Sequence, residues 1–184
     1  MKFGCVIPAR YGSTRLPGKP LADIAGKPMI ERVYDRVSQA TKTSCTIVAT
    51  DDDRVYSAVQ QFGGTVMMTD PNHPTGTDRL AEVASHYTDL DVVINVQGDE
   101  PMIEPNLIDD LAHLFEEDPN LQMATVATPL LEEEYDEPSA VKVILNNRND
   151  AMYFSRSLIP YPRHDFVRPP LKHIGIYAYR REFL

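Results

Sequence analysis

Tryptophan is absent from this 184-residue chain, cysteine occurs twice, and acidic residues outnumber basic ones by 27 to 18. The resulting net charge of −9 excludes non-specific nucleic-acid binding, which needs a basic face to displace counterions from phosphates. Cys5 and Cys45 each lie inside a short apolar run that reads as a buried strand. That excludes a disulfide framework and points to free thiols in a reducing compartment. No apolar run at the N-terminus serves as a signal peptide, and none anywhere approaches the roughly 20 residues that span a bilayer. No membrane association is therefore expected, and the expected location is cytoplasmic. The G-x-x-x-x-G-K-[ST] and G-x-G-x-x-G patterns are missing, as are any Cys/His metal cluster and any Ser/His/Asp or Cys/His arrangement, so covalent catalysis is not indicated.

What is present is enough apolar residue, 42%, for the core of one domain or of one domain plus part of a second. Residues 3–8 form a β-branched, apolar run of the kind found in a strand covered on both faces. Residues 28–40 have helical spacing after a proline suited to a first turn. Residues 46–49 then read as a strand and 51–62 as a helix ending at Gly63-Gly64. A strand at 65–68, a helix at 77–87, a strand at 91–96 and a helix at 107–116 continue the alternation. This pattern predicts an α/β fold, a three-layer and mostly parallel sheet that binds ligands beyond the carboxyl ends of its strands. After Asn120 the texture changes to strands at 123–128, 140–145 and 173–180 joined by long loops. The expected organisation is a core over residues 1–120 with a smaller β-rich lobe over 121–184, all one compact unit. A helix beginning at residues 181–184 predicts a chain that continues past Leu184.

Charge is unevenly spread: residues 1–42 carry a net +5 and residues 43–184 a net −14. Arg10, Arg15 and Lys19 crowd the segment from Pro8 to Pro20, directly after the first strand. Gly12 and Gly18 let the backbone approach a ligand there, Ser13 and Thr14 add hydroxyls, and the three cations suit phosphate oxygens. The segment reads as a nucleoside-triphosphate loop of neither standard type. Gln97-Gly98-Asp99-Glu100-Pro101 follows another apolar strand, so its carboxylates face the same crevice. Asp99 suits a divalent cation shared with a triphosphate, since Mg²⁺ is usually held by one or two carboxylates plus phosphates. A weaker third motif, residues 72–79, leads into a helix N-terminus that either meets a base or phosphate or is simply capped by Thr75 or Thr77 with Arg79 solvated. Residues 156–182 hold six Lys or Arg against Asp165 and Glu182, a basic region suited to a second anion.

These residues, in this order, resemble the CMP-Kdo synthetase (3-deoxy-manno-octulosonate cytidylyltransferase) family, through residues 7–21, 76–83, 95–103, 154–160 and 173–180. The Leu16-Pro17-Gly18-Lys19 run and the wording of residues 97–101 favour Kdo over sialic acid. The resemblance implies a nucleotide-diphospho-sugar transferase-like fold whose later lobe binds the sugar acid and forms a homodimer. It implies a magnesium-dependent cytidylyltransferase that joins CTP and Kdo for lipopolysaccharide assembly. Pro8, Ala9, Arg10, Ser13, Arg15, Lys19, Thr75, Gly76, Arg79 and Gln97 match the nucleotide-binding positions. Arg15, Lys19 and Asp99 match the catalytic ones, with Asp99 as metal ligand. Arg156, His173 and Tyr177 match positions lining the sugar-acid pocket. Where the family more often has serine this chain has Thr75, which keeps the hydroxyl. The family's second metal-holding aspartate falls beyond Leu184. The rival readings are a cytidylyltransferase for 8-amino-Kdo or sialic acid, and a CTP-binding protein without turnover.

Overall fold

A computed structural model describes the chain except for residues 13–15, 165 and 167. The described residues divide into two units, Met1–Ala124 with Ile176–Leu184, and Thr125–Gly175. The first unit opens with β1 (Phe3–Pro8), then β2 (Asp23–Ile24) and β3 (Lys27–Pro28), α1 (Met29–Val37), β4 (Thr43–Thr50) and α2 (Asp53–Gln61). β5 (Thr65–Met68), α3 (Gly76–His86), β6 (Val92–Asn95) and α4 (Pro105–Glu117) follow. β1 lies parallel to both β4 and β6, and β4 parallel to β5. The chain later returns through β10 (Leu171–Arg180), whose last residues run antiparallel to β6 with Tyr177 opposite Asn95. The expected α/β class is therefore observed, with antiparallel β10 beside the parallel strands β5, β4, β1 and β6.

Cys5, Val6, Ile7, Ile47, Val48, Ala49, Val92, Val93 and Ile94 are all 0% exposed. Burial on both faces explains why these strands read as continuous apolar runs rather than alternating ones. Leu80, Val83 and Ala84 of α3 pack on the face formed by Val6, Ile47, Ala49 and Val93. α1 and α4 contact each other as well as β4 and β6, and belong to no part of that cluster; they cover the opposite face. Cys45 Sγ turns toward Gly4, on the side opposite Cys5, and both thiols are free. Among the described residues no helix is long and apolar enough to cross a membrane.

Several boundaries differ from the periodicity. α1 stops at Val37, short of residue 40, and β4 begins at Thr43, three residues before its apolar stretch. α2 ends as read, with Gly63 N–H donating to Gln60 O and Gly64 N–H to Val59 O, a Schellman closure. The two-residue strands β2 and β3 were too short to show a period, and Arg32 holds their turn by donating to the carbonyls of Ile24 and Ala25.

In the second unit, β8 (Lys142–Leu145) pairs antiparallel with both β9 (Ala151–Ser155) and the first residues of β10. β7 (Met123–Pro129) enters this unit from the first. Periodicity gives no sign of β9, because Ala151–Phe154 are all exposed and no buried face marks them.

Candidate functional site

The motifs after β1 and β6 are built against each other. Ala9 N–H donates to Ala49 O at 2.8 Å and Val96 N–H to Val6 O at 3.0 Å, which continues the ladder just past the strand ends. A Cβ on Gly98 would lie 2.8 Å from Pro8 O. Only glycine admits this approach, so the backbones of the two motifs touch. Gly18 has φ 71°, and its N–H donates to Tyr11 O at 2.9 Å, which ties these two residues of the first motif together. Ser13 and Arg15 themselves lie outside the described residues. The Tyr11 ring is held from the other side by Arg54, whose Cζ sits 3.3 Å from the ring centroid. Arg54 also forks onto Asp52, the N-cap of α2, at 2.9 and 2.7 Å. Neither Tyr11 nor Arg54 figures in the sequence reading, since cation–π stacking leaves no signature in spacing.

Lys19 opens a short 3₁₀ turn and its Nζ pairs with Asp99, which ties the phosphate-loop cation to the carboxylate after β6. The side chains are 36% and 46% exposed, so a ligand can reach both. Gln97 is half-buried beside them. Partial desolvation, then the charge of Asp99, lift the Glu100 carboxyl above its usual range. Among the described residues no group of three His, Cys, Asp or Glu is placed to hold a metal by itself. One or two exposed carboxylates are instead the donor set that Mg²⁺ uses when a substrate's phosphate oxygens complete its shell.

The third motif joins the first through Arg10, whose Nη2 donates to His73 O and, at 3.4 Å, to Thr75 O. Thr75 caps α3 in a capping box: Asp78 N–H donates to its Oγ1 at 3.2 Å, and its own N–H to Asp78 at 3.0 Å. Gly76 begins the helix, with open space where a Cβ would stand. Gly76 and Thr77 at the start of α3 are exposed, and a helix N-terminus suits a phosphate or a base edge. Arg79, expected at the nucleotide or in solvent, is completely buried. Its Nη2 pairs with Asp51 at 2.6 Å and its Nη1 donates to Thr69, which in turn donates to Thr50 O. Arg79 is therefore a strut fixing α3 to the ends of β4 and β5. Asp51 is the residue the sequence reading missed, because it stands in an Asp-Asp-Asp run that reads as a helix start. Glu82 is another, accepting from Asp70 N–H at 2.9 Å and lying 2.5 Å from His73 Nε2.

In the second unit Arg156 is exposed and donates to Pro138 O at 2.8 Å. His173 is half-buried, with Nε2 2.9 Å from Thr125 Oγ1 and its ring edge-on to Phe154 at 5.0 Å. Burial holds its pKa below the usual histidine value. Of the other cations in the basic region, Lys172 is spoken for by Glu134. Arg163 lines a separate open cavity of about 590 Å³ with His164, Tyr135 and Phe166. Tyr177 belongs to the first unit, where its ring stacks on Tyr179 at 6.0 Å.

The family model described as cytidylyltransferase matches residues 4–184. The 3-deoxy-manno-octulosonate cytidylyltransferase of Escherichia coli is 55% identical over 97% of this chain and 72% of its own length. The 8-amino-3,8-dideoxy-manno-octulosonate cytidylyltransferase of Shewanella baltica strain OS195 is 48% identical over the whole chain and 77% of its own length. A solved CMP:2-keto-3-deoxy-manno-octonic acid synthetase in complex with CTP superposes with a TM-score of 0.94 at 54% identity, covering all of this chain and 76% of that one.

Proposed function

The chain belongs to the cytidylyltransferase family, and from that premise we propose that it joins CTP and 3-deoxy-manno-octulosonate (Kdo) to give CMP-Kdo and pyrophosphate for lipopolysaccharide assembly. The observation that carries the site assignment is the Lys19–Asp99 pair, which joins the loops after β1 and β6 where the Gly98 backbone meets Pro8. A phosphate-binding cation and a carboxylate are held together at the carboxyl edge of a parallel sheet, where such folds bind ligands.

The reaction is an in-line displacement. The anomeric 2-hydroxyl of Kdo attacks the α-phosphorus of CTP and gives up its proton to solvent, the bond to the bridging oxygen breaks, and pyrophosphate leaves with its electron pair. Lys19, with Arg15 by family likeness, neutralises charge growing on the leaving group. The first turn of α3, set by Thr75 and Gly76 and braced by Arg10 and Arg79, offers N–H groups to the nucleotide, and Gln97 donates beside Asp99. Asp99, with Glu100 adjacent, would hold Mg²⁺. Bound there, the ion would supply Lewis-acid polarisation of the phosphate oxygens. Arg156 and His173 read the sugar acid, Arg156 by a bidentate grip on its carboxylate, and Tyr177 is assigned to the acceptor by family likeness. The protein works in the cytoplasm, where CTP is made, as a homodimer formed through its second unit.

Lys19→Ala and Asp99→Ala test the assignment. Each should keep its circular-dichroism spectrum while kcat/KM for pyrophosphate release falls on the order of 10² to 10⁴. Near-normal rates in both variants would contradict it. The likeness to the Shewanella protein favours one second reading, with the 8-amino sugar as acceptor.

A further inference from the structure

Lys142 of β8 is 0% exposed, and nothing in the reaction above uses it. Its Nζ donates to Glu137 O at 2.8 Å and to Arg156 O at 3.4 Å. Arg156 Nη1 donates to Pro138 O at 2.8 Å. Consecutive carbonyls of one turn are thus gripped by the two basic side chains, and Lys142 also reaches the main chain from which Arg156 springs. Ser139 closes the turn, its N–H and hydroxyl donating to Glu137 Oε1 at 3.0 and 2.8 Å. The Ser139 N–H and hydroxyl, and at longer range Lys142, keep the Glu137 carboxyl below its usual range. β8 lies between β9 and β10, with Lys142 in register with Ser155 on one side and Lys172 on the other.

Burying a lysine amino group carries a large desolvation cost, and an unbranched apolar side chain such as methionine fills similar space without it. What lysine adds here is two hydrogen bonds to main-chain oxygens. Arg156, by contrast, is exposed, and its planar fork of five N–H donors reads a carboxylate well only when its base is fixed.

We propose that Lys142 is a positioning residue for the acceptor, fixing the 137–139 turn and the main chain at Arg156 so that the guanidinium is presented to the carboxylate of the sugar acid. The inference rests on the reading of Arg156 given above.

The test is a double-mutant cycle in the pyrophosphate-release assay with CTP and Kdo. Lys142→Met should raise KM for Kdo about tenfold and leave KM for CTP within about twofold. In an Arg156→Ala background the same change should raise KM for Kdo no further, because its effect passes through Arg156. A full additional rise in that background, or an unchanged KM for Kdo in Lys142→Met alone, overturns the proposal. An Arg156→Ala variant with unchanged KM for Kdo overturns the acceptor assignment of Arg156 itself, a separate and recognisable failure. Should Lys142→Met not fold, Lys142→Arg takes its place in the cycle. Its bulkier fork should displace the turn and raise KM for Kdo by about threefold, again only when Arg156 is present. No rise in that variant overturns the proposal equally.

Discussion

At the scale of single residues, Gly98 makes the most exacting demand. An alanine there would put a methyl carbon 2.8 Å from Pro8 O, an atom fixed in the main chain at the end of β1. The loops must part to admit it. Gly98→Ala should lower kcat/KM for CTP by about 10- to 100-fold with the far-ultraviolet spectrum unchanged. Full activity would mean the two loops are not a unit. Arg10 and Asp99 stood out in the sequence because each follows a strand within a few residues, Thr75 because it precedes a helix, and Lys19 because it belongs to the cation-rich segment after β1. Asp51 and Glu82 were not, since their importance lies in partners 28 residues away in one case and nine in the other.

At the scale of elements, α3 is held at its start by the capping box and at its first turn by the buried Arg79–Asp51 pair. Thr75→Ala should cost about 1 kcal/mol of unfolding free energy, the usual value of a lost cap. Asp51→Ala should cost more, about 3 to 5 kcal/mol, because it leaves a guanidinium that is 0% exposed without its counter-charge. By calorimetry the midpoint should fall on the order of 10 °C. A shift no larger than that of Thr75→Ala would show that the pair is no strut. α1 to α4 and the strands β1, β4 and β6 were readable because their apolar residues follow helical periods or fill continuous buried runs, whereas two-residue β2 and β3 were not. β9 escaped because every residue from Ala151 to Phe154 is exposed, and a strand without a buried face has no period to find.

At the scale of the whole molecule, carboxyl groups whose pKa the fold lowers outnumber Glu100, whose pKa it raises, so acidity should on balance destabilise. Asp52 is held below the usual carboxylate range by the Arg54 side chain, Asp78 by the Thr75 hydroxyl and Glu134 by Lys172. A depressed folded-state pKa contributes stability that is complete above the unfolded value, about 4, and is lost as pH falls through the folded one. Half-buried His173, with its pKa lowered by burial, adds a milder loss that begins below about pH 6.5. The melting midpoint should therefore decline gently from neutral pH and steeply below about pH 4, less so in high salt. A midpoint that rises on acidification would contradict this assignment of charges.

The reaction itself draws on the whole protein, and one measurement tests it most directly: pyrophosphate release with each of the four nucleoside triphosphates against Kdo, its 8-amino analogue and sialic acid. Release is expected only with CTP and Kdo. Release with another nucleotide or only with another acid, or CTP binding by calorimetry with no release in any pairing, would contradict it.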